Sequence, residues 1–274
     1  MIGTIIGDII GSPYEFDQNN IKTTDFPLFS KKSYFTDDTV ITIAVAEALM
    51  NGYDDEEATE EELIACMQHY GRKYPNAGYG AMFGRWIYDK HPEPYDSFGN
   101  GSAMRVAPAA WLYNDLEKVE RYAAITAKVT HNHPEGIKGA QAVAAAIYLA
   151  RWHYPKWYIC NYIVHKYGYD FSRTCDEIRP TYRHVESCQE TVPEALTAFF
   201  EGNSFEEVVR LAVSLGGDSD TLTAIAASVA EAYYSIPAKI MSKALKYLDD
   251  DLRNVICRFA CFVYDLNDAE TAQN

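Results

Sequence analysis

Apolar residues recur along most of this chain at the spacing of a helix face. Ile41, Ala44, Val45, Ala48 and Leu49 fall at i, i+3, i+4, i+7 and i+8, the stripe of a helix packed against a core. Leu222, Ile225, Ala226, Val229 and Tyr233 do much the same. This reading predicts further helices over roughly 60–73, 103–113, 117–128, 136–152, 157–167, 192–201, 205–214 and 238–248, each boundary placed to within a few residues. Segment 136–152 is rich in alanine, which lets neighbouring helices approach closely. Irregular stretches run from Tyr74 to Gly101 and from about Gly168 to Thr191. No sustained alternating pattern appears, so the expected class is all-α. No linker composition and no repeat of roughly 20–50 residues interrupts the chain, and one compact domain over 1–274 is expected.

Two of these helices open at acidic clusters. Phe35-Thr36-Asp37-Asp38-Thr39 precedes the first, and Gly216-Gly217-Asp218-Ser219-Asp220-Thr221 precedes the second. Asp and Thr are favoured N-caps, and carboxylates suit the positive end of the helix dipole. Capping therefore accounts for either cluster alone as well as metal binding does. One cap needs one side chain, however, and each cluster supplies two Asp beside a Thr. Extra carboxylates packed against a buried helix without a counter-charge are costly. Hard divalent cations take all-oxygen ligand sets of this kind. The matched pair points to a shared metal site, and the clusters must meet in space to form it.

Composition narrows the partners. The formal charge of −15 argues against general nucleic-acid binding and against anionic membranes, since both use basic patches. A small anionic ligand held by local dipoles or bound cations remains compatible with it. A hydrophobic fraction of 48% and an aromatic fraction of 14% fit a folded globular protein with a substantial core. Cys66, Cys160, Cys175, Cys188, Cys257 and Cys261 form no CxxC pair and no zinc spacing. Cys257 and Cys261, four apart, suit neighbouring thiols on a helix. The apolar start of the chain lacks a basic leader and is interrupted by Asp8 and Pro13, so neither a signal peptide nor a membrane span is expected. Free thiols without an export signal point to the cytoplasm. The oligomeric state stays open, a monomer being sufficient.

Four further motifs lie in or near loops. Gly7-Asp8-Ile9-Ile10-Gly11-Ser12-Pro13-Tyr14-Glu15 ends an apolar segment in Gly, Pro and a carboxylate, the composition of a helix terminus and loop. In Ser97-Phe98-Gly99-Asn100-Gly101-Ser102 small residues lead into a helix. Such a turn exposes backbone N–H groups that suit phosphate, although a plain Gly-rich turn has the same composition and no Walker lysine is present. Thr130-His131-Asn132-His133 holds two His without a third nitrogen or sulfur ligand nearby. One ring is expected to bond a ligand or a capped helix end. Asn76-Ala77-Gly78-Tyr79-Gly80 reads as a surface turn, or as a loop whose ring stacks on a base.

Together these motifs resemble the ADP-ribosylglycohydrolase family, in that family's order, from Gly3 to about Pro237. The pairing of Thr36-Asp37-Asp38-Thr39 with Gly217-Asp218-Ser219-Asp220-Thr221 carries most of the likeness; Asn100-Gly101-Ser102-Ala103-Met104-Arg105 and Thr130-His131 add to it. The resemblance implies a compact all-α fold with two divalent cations, Mg2+ or Mn2+, at the base of an ADP-ribose cleft. It implies Thr36, Asp37, Asp38, Asp218, Asp220 and Thr221 as metal ligands, with Asp220 as the bridge. Glu15 matches a carboxylate near the metals that acts as a gate. Ser97, Phe98, Gly99, Asn100 and Gly101 match a diphosphate-binding loop, His131 a ribose or phosphate contact, and Gly78, Tyr79 and Gly80 a loop beside the ligand. The implied activity is hydrolysis of the glycosidic bond between ADP-ribose and an acceptor: a protein side chain, a small molecule or a nucleobase. Glu15, Asp37 and Asp38 are the candidates for proton transfer.

Three rivals share parts of the pattern. A two-metal phosphohydrolase acting on a nucleotide needs similar ligands. Asp218 and Asp220 resemble the haloacid-dehalogenase nucleophile motif, but here they precede a helix and Thr221 follows directly. A calcium loop opening at Asp218 has Thr223 where Gly belongs and Val229 where Glu belongs. A non-catalytic ADP-ribose-binding protein ranks below an enzyme because all the expected ligand positions are filled.

Overall fold

A computed structural model describes residues 1–271 of the chain. It begins with α1 (Ile2–Gly11), α2 (Asp37–Asn51), α3 (Glu56–Lys73), α4 (Ala81–Trp86) and α5 (Gly101–Met104). Next come α6 (Ala107–Leu112), α7 (Leu116–Lys128), α8 (Pro134–Arg151), α9 (Lys156–Tyr167) and α10 (Cys175–Ile178). The last are α11 (Cys188–Glu201), α12 (Phe205–Leu215), α13 (Ser219–Tyr233), α14 (Ala238–Ala244) and α15 (Asp250–Thr271). Among the described residues there is no strand, only an isolated bridge between Gly99 and Ser187. The all-α expectation holds. One continuous core joins the elements into a single compact domain; residues 272–274 of the expected 1–274 lie outside the described residues. No described helix is long and apolar enough to cross a membrane.

Several boundaries differ from the periodicity for local reasons. The expected helix over 103–113 is broken at Arg105 and Val106 into α5 and α6, with Pro108 near the start of α6, where its missing N–H costs nothing. Helix α11 begins at Cys188, four residues before the expected start, and carries Pro193 inside it. The stretch expected over 238–248 is helical only to Ala244 and then tightens into a 3-10 turn, Leu245–Tyr247. The apolar spacing does not mark helices α1, α4 and α10, and only the paired cysteines point to α15.

The centre of the domain is formed by α2 and α13, which are buried on nearly all sides. Every residue from Asp38 to Ala46 and from Ser219 to Ala230 is buried. Against α13 lies α1, and its small residues decide how closely. Gly3, Gly7 and Gly11 fall one turn apart along one face. A Cβ on Gly3 or Gly7 would collide with the backbone of Ala227 or Thr223, and one on Gly11 would come within 2.6 Å of the Asp220 Cα. Glycine is required here for close approach, and the two helices touch backbone to backbone. The N-terminal N–H groups of Ile2 and Gly3 donate to the Glu231 carboxylate of α13 at 3.2 and 2.7 Å, satisfying donors that a helix start leaves open.

The packing yields a paired test. Gly7→Ala should lower stability by at least about 1–3 kcal/mol, the usual cost of overpacking a tight interface. Gly84→Ala, in α4 with nothing within 4 Å of the added atom, should be neutral or slightly stabilising. Urea unfolding of both variants checks this; equal stabilities would remove the close-approach argument.

Candidate metal centre and its cavity

Helix α1 delivers one carboxylate to the start of α2. Asp8 is fully buried and accepts from the backbone N–H groups of Thr36 and Thr39 at 2.9 and 3.1 Å. It also accepts from the Thr36 hydroxyl at 2.8 Å and from the Thr39 hydroxyl. The Thr36 hydroxyl in turn accepts the Asp38 N–H as the N-cap of α2. Burial raises the Asp8 carboxyl to about 6 despite the four donors. Sequence reasoning treats Asp8 as a mere interruption, although a lone acid inside an Ile- and Gly-rich segment is the signal that marks it.

The second cluster is shaped by a glycine turn. Gly216 and Gly217 both have positive φ, 77° and 73°, a conformation that glycine adopts without strain. The turn ends α12 and aims Asp218 and Asp220 at the start of α2. Thr221 Oγ1 donates to Asp38 Oδ2 at 3.0 Å, so the two clusters are in direct contact. Asn100 Nδ2 donates to Asp218 Oδ2 at 2.7 Å, tying in the glycine loop before α5. Glu15, on the loop after α1, completes the group: oxygens of Glu15, Asp218 and Asp220 all lie within 4.8 Å of one another.

These carboxylates repel one another in a buried space. Burial first, then Asp220 and Asp8, raise Asp37 well above the ordinary carboxylate range. Asp38 and Asp220 are raised well above it for the same kind of reason. Burial and the facing Asp220 push Glu15 up to about 8, and burial raises Asp218 to about 7. Asp38 Oδ1 and Asp220 Oδ1 are buried and have no hydrogen-bond partner. Two orphaned carboxylate oxygens amid converging acids are the donor set a hard divalent cation fits.

A cavity of about 350 Å³ opens from this acidic floor. It is lined by Glu15, Asp37, Asp38, Asp218, Asp220 and Thr221, and by Ser97, Gly99, Asn100, Gly101 and His131, with Asn100 bonded to Asp218. Gly78 and Gly80 form part of the rim, held by the Asp37 N–H donating to the Ala77 carbonyl at 2.8 Å. His131 packs directly under the glycine loop, since a Cβ on Gly99 or Gly101 would come 3.3 or 3.2 Å from its Nε2. The buried Arg105 Nη2 donates to the Thr130 hydroxyl at 2.6 Å. That hydroxyl lies 2.7 Å from His131 Nδ1 and 3.5 Å from the Ala127 carbonyl. The hydroxyl and Nδ1 share one hydrogen bond whose direction follows the ring's tautomer, and Nε2 lies on the loop side. Burial, then Arg105, hold His131 well below the ordinary imidazole range, so the ring is neutral near pH 7.

Three expected site residues do not line this cavity. The Tyr79 ring packs on Phe83 with centroids 5.7 Å apart and faces a separate groove beside Pro75 and Tyr88. Phe98 is half-exposed, edge-on to His133 at 5.5 Å. The Thr36 hydroxyl points at Asp8. Met82, Phe83, Tyr95, His184 and Glu186, which the sequence does not single out, do line it, and the side chains of His184 and Glu186 pair at 3.1 Å. These last two lie in the irregular stretch before α11, where no period marks them.

Comparison with known proteins fits this geometry. The family model for ADP-ribosylglycohydrolase matches residues 1–270. The ADP-ribosylhydrolase ARH3 of Homo sapiens is 26% identical over 314 residues, covering 86% of this chain and 84% of that protein. The ADP-ribosylarginine hydrolase Tri1 of Pseudomonas putida is 26% identical, covering 86% of this chain and 70% of that protein. A solved structure titled as an ADP-ribosylglycohydrolase-related protein complex shares the fold with a TM-score of 0.72 and 24% identity, over 96% of this chain and 95% of that one.

Raised carboxyl values give a pH dependence with a definite sign. Between the ordinary 3.8 and the folded values of about 6 for Asp8 and about 7 for Asp218, the folded chain holds protons that the unfolded chain has lost. Glu15 extends the window from 4.5 to about 8. Stability contributed by these groups is thus present at low pH and lost as pH rises through that window. Without divalent cations the melting temperature should fall from about pH 5 to pH 8, and added Mg2+ or Mn2+ should raise it more at the upper end. A grid of thermal melts checks both; a cation effect independent of pH would detach the carboxylates from the binding.

Proposed function

The chain belongs to the ADP-ribosylglycohydrolase family, and we propose that it hydrolyses the glycosidic bond between ADP-ribose and an acceptor, releasing ADP-ribose, with two divalent cations, Mg2+ or Mn2+, between α2 and α13. Proteins of this family are ADP-ribosyl hydrolases. The observation that carries the reading is the convergence of Glu15, Asp218 and Asp220, beside orphaned oxygens of Asp38 and Asp220, at the floor of a cavity walled by a glycine loop.

Asp37, Asp38, Asp218, Asp220 and Thr221 would hold the cations, with Glu15 reaching the same group from its loop and Asp220 central because its carboxylate faces both clusters; Thr36 supports the set through Asp8 and the Asp38 N–H. When bound, the cations supply positive charge for ribose hydroxyls and lower the pKa of a water. The diphosphate lies against Ser97, Gly99, Asn100 and Gly101, where side chains are small enough for the backbone to approach it. Neutral His131 presents Nε2 to a ribose or phosphate oxygen. Gly78 and Gly80 contribute backbone at the rim, while Phe98 and Tyr79 stand outside the cavity.

Cleavage at the anomeric carbon passes through an oxocarbenium-like state. The chain must then give a proton to the departing atom or take one from the attacking water. Glu15 suits either role, because it reaches the floor from a loop, is half-buried, and sits at about 8 before any cation is counted. Asp37 and Asp38 are the alternatives for the base. The acceptor is the open part of the substrate: the relative whose name gives one, an ADP-ribosylarginine hydrolase, is no more similar to this chain than the ADP-ribosylhydrolase ARH3.

Glu15→Gln keeps size and hydrogen bonding but removes basicity. Turnover should fall roughly 10²-fold, the scale for losing a general acid–base, while ADP-ribose affinity by calorimetry changes little. Near-normal turnover would move the base to Asp37 or Asp38. The reaction itself is checked with ADP-ribosylated arginine and serine peptides, ADP-ribosylated small molecules and free nucleotides, each with Mg2+ or Mn2+. Release of ADP-ribose supports the proposal, whereas release of phosphate from nucleotides alone would establish a phosphohydrolase.

A further inference from the structure

Glu15 belongs to a loop, while Asp218 and Asp220 start a buried helix, yet their oxygens meet within 4.8 Å. One side-chain amide joins the two. Asn20 Nδ2 donates to the carbonyls of Tyr14 at 2.7 Å and Phe16 at 2.9 Å, the residues on either side of Glu15. It also lies 3.1 Å from the carbonyl of Gly217, and Asn20 Oδ1 accepts the Gly217 N–H at 2.6 Å. Gly217 immediately precedes Asp218. A single amide thus bonds to the backbone flanking the loop carboxylate and to the backbone leading into the helix carboxylates.

The surroundings are shaped to admit that amide. A Cβ on Gly216 would come 2.5 Å from Asn20 Oδ1 and 2.5 Å from Lys22 Nζ. Phe16 adopts φ of 64°, a left-handed conformation that costs a non-glycine residue free energy and persists only when its surroundings enforce it. The bond from Asn20 to the Phe16 carbonyl is part of that enforcement. Other contacts are one-sided or weaker links. Ser219 Oγ donates to the Tyr14 carbonyl at 3.1 Å, Asn19 Nδ2 to the Glu15 carbonyl at 3.0 Å, and Lys22 Nζ to the carbonyls of Leu215 and Tyr182. Among the described residues, only Asn20 bonds on both sides of Glu15 and to Gly217.

We infer that Asn20 is a positioning residue that holds Glu15 in register with Asp218 and Asp220; the inference rests on the metal-dependent reading of this centre. Asn20 does not line the cavity, and it acts through Glu15. In its absence the loop carboxylate is free to swing away from the floor while the helices stay in place.

The test uses the full chain with Asn20→Ala and Asn20→Asp, the second keeping an acceptor for the Gly217 N–H but losing the donated bonds. Mn2+ affinity by calorimetry should weaken about 10–100-fold, the scale for removing a residue that orients a ligand. The kcat for ADP-ribose release should fall with little change in KM. In a Glu15→Ala background, adding Asn20→Ala should alter neither quantity much further, because the group it positions is gone. Additive losses, or a lowered melting temperature with normal Mn2+ affinity and kcat, would make Asn20 a structural staple and overturn the inference. Hydrogen exchange separates this from failure of the metal reading. Segment 14–17 should open in Asn20→Asp, with 216–220, whose Gly217 N–H keeps its acceptor, and the helices unchanged. If the wild type binds no Mn2+, the metal reading fails by itself; opening of 14–17 alone would still support Asn20, and opening of neither segment or of both would overturn it.

Discussion

The backbone contact between α1 and α13 is the constraint from which the rest follows. Three glycines a turn apart remove the side chains that would otherwise hold the helices at ordinary separation. Closer approach puts Gly11 beside the Asp220 Cα, and Asp8, one turn earlier, under the start of α2. The loop leaving α1 then has no choice but to pass the Asp218 turn, where Glu15 meets the two helix carboxylates. A larger residue at Gly7 or Gly11 would move three acids at once.

The buried acids divide by how their oxygens are satisfied. Asp8 receives two backbone and two hydroxyl donors, so its acceptor capacity is used inside the fold, as an anion at a helix N-terminus. Asp38 and Asp220 each keep one buried oxygen without a donor. Similar burial and the same residue type therefore produce two roles. The satisfied acid builds the site, and the unsatisfied ones face the cavity with capacity left for a cation.

Much of this is legible in the chain, and the failures have physical causes. The two acidic clusters are readable because each heads a helix with a clear apolar period. Helix α1 is not, since three glycines lower intrinsic helix propensity by about 1 kcal/mol each, and only packing against α13 overrides that. Tyr79 and Phe98 fall in the expected loops, but sequence spacing does not say which way a loop ring faces, and Tyr79 faces the other groove. His184 and Glu186 sit where no period exists to be read. Asn20 carries no signal at all, because its importance lies in four backbone groups that come together only in the folded chain.

The pairing of α1 with α13 also dictates when the site can exist. Synthesis proceeds from the N-terminal side at about 5–20 residues per second, so α1 emerges many seconds before the helix it is shaped to meet. Until then Ile5, Ile6, Ile9 and Ile10, all fully buried in the finished domain, lack the neighbour that α1 packs against most closely. A nascent chain stopped short of α13 would expose that apolar helix and have neither Asp218 nor Asp220 to complete the centre. On the proposed reading, such truncated products would lack the centre, which can form only once α13 has left the ribosome.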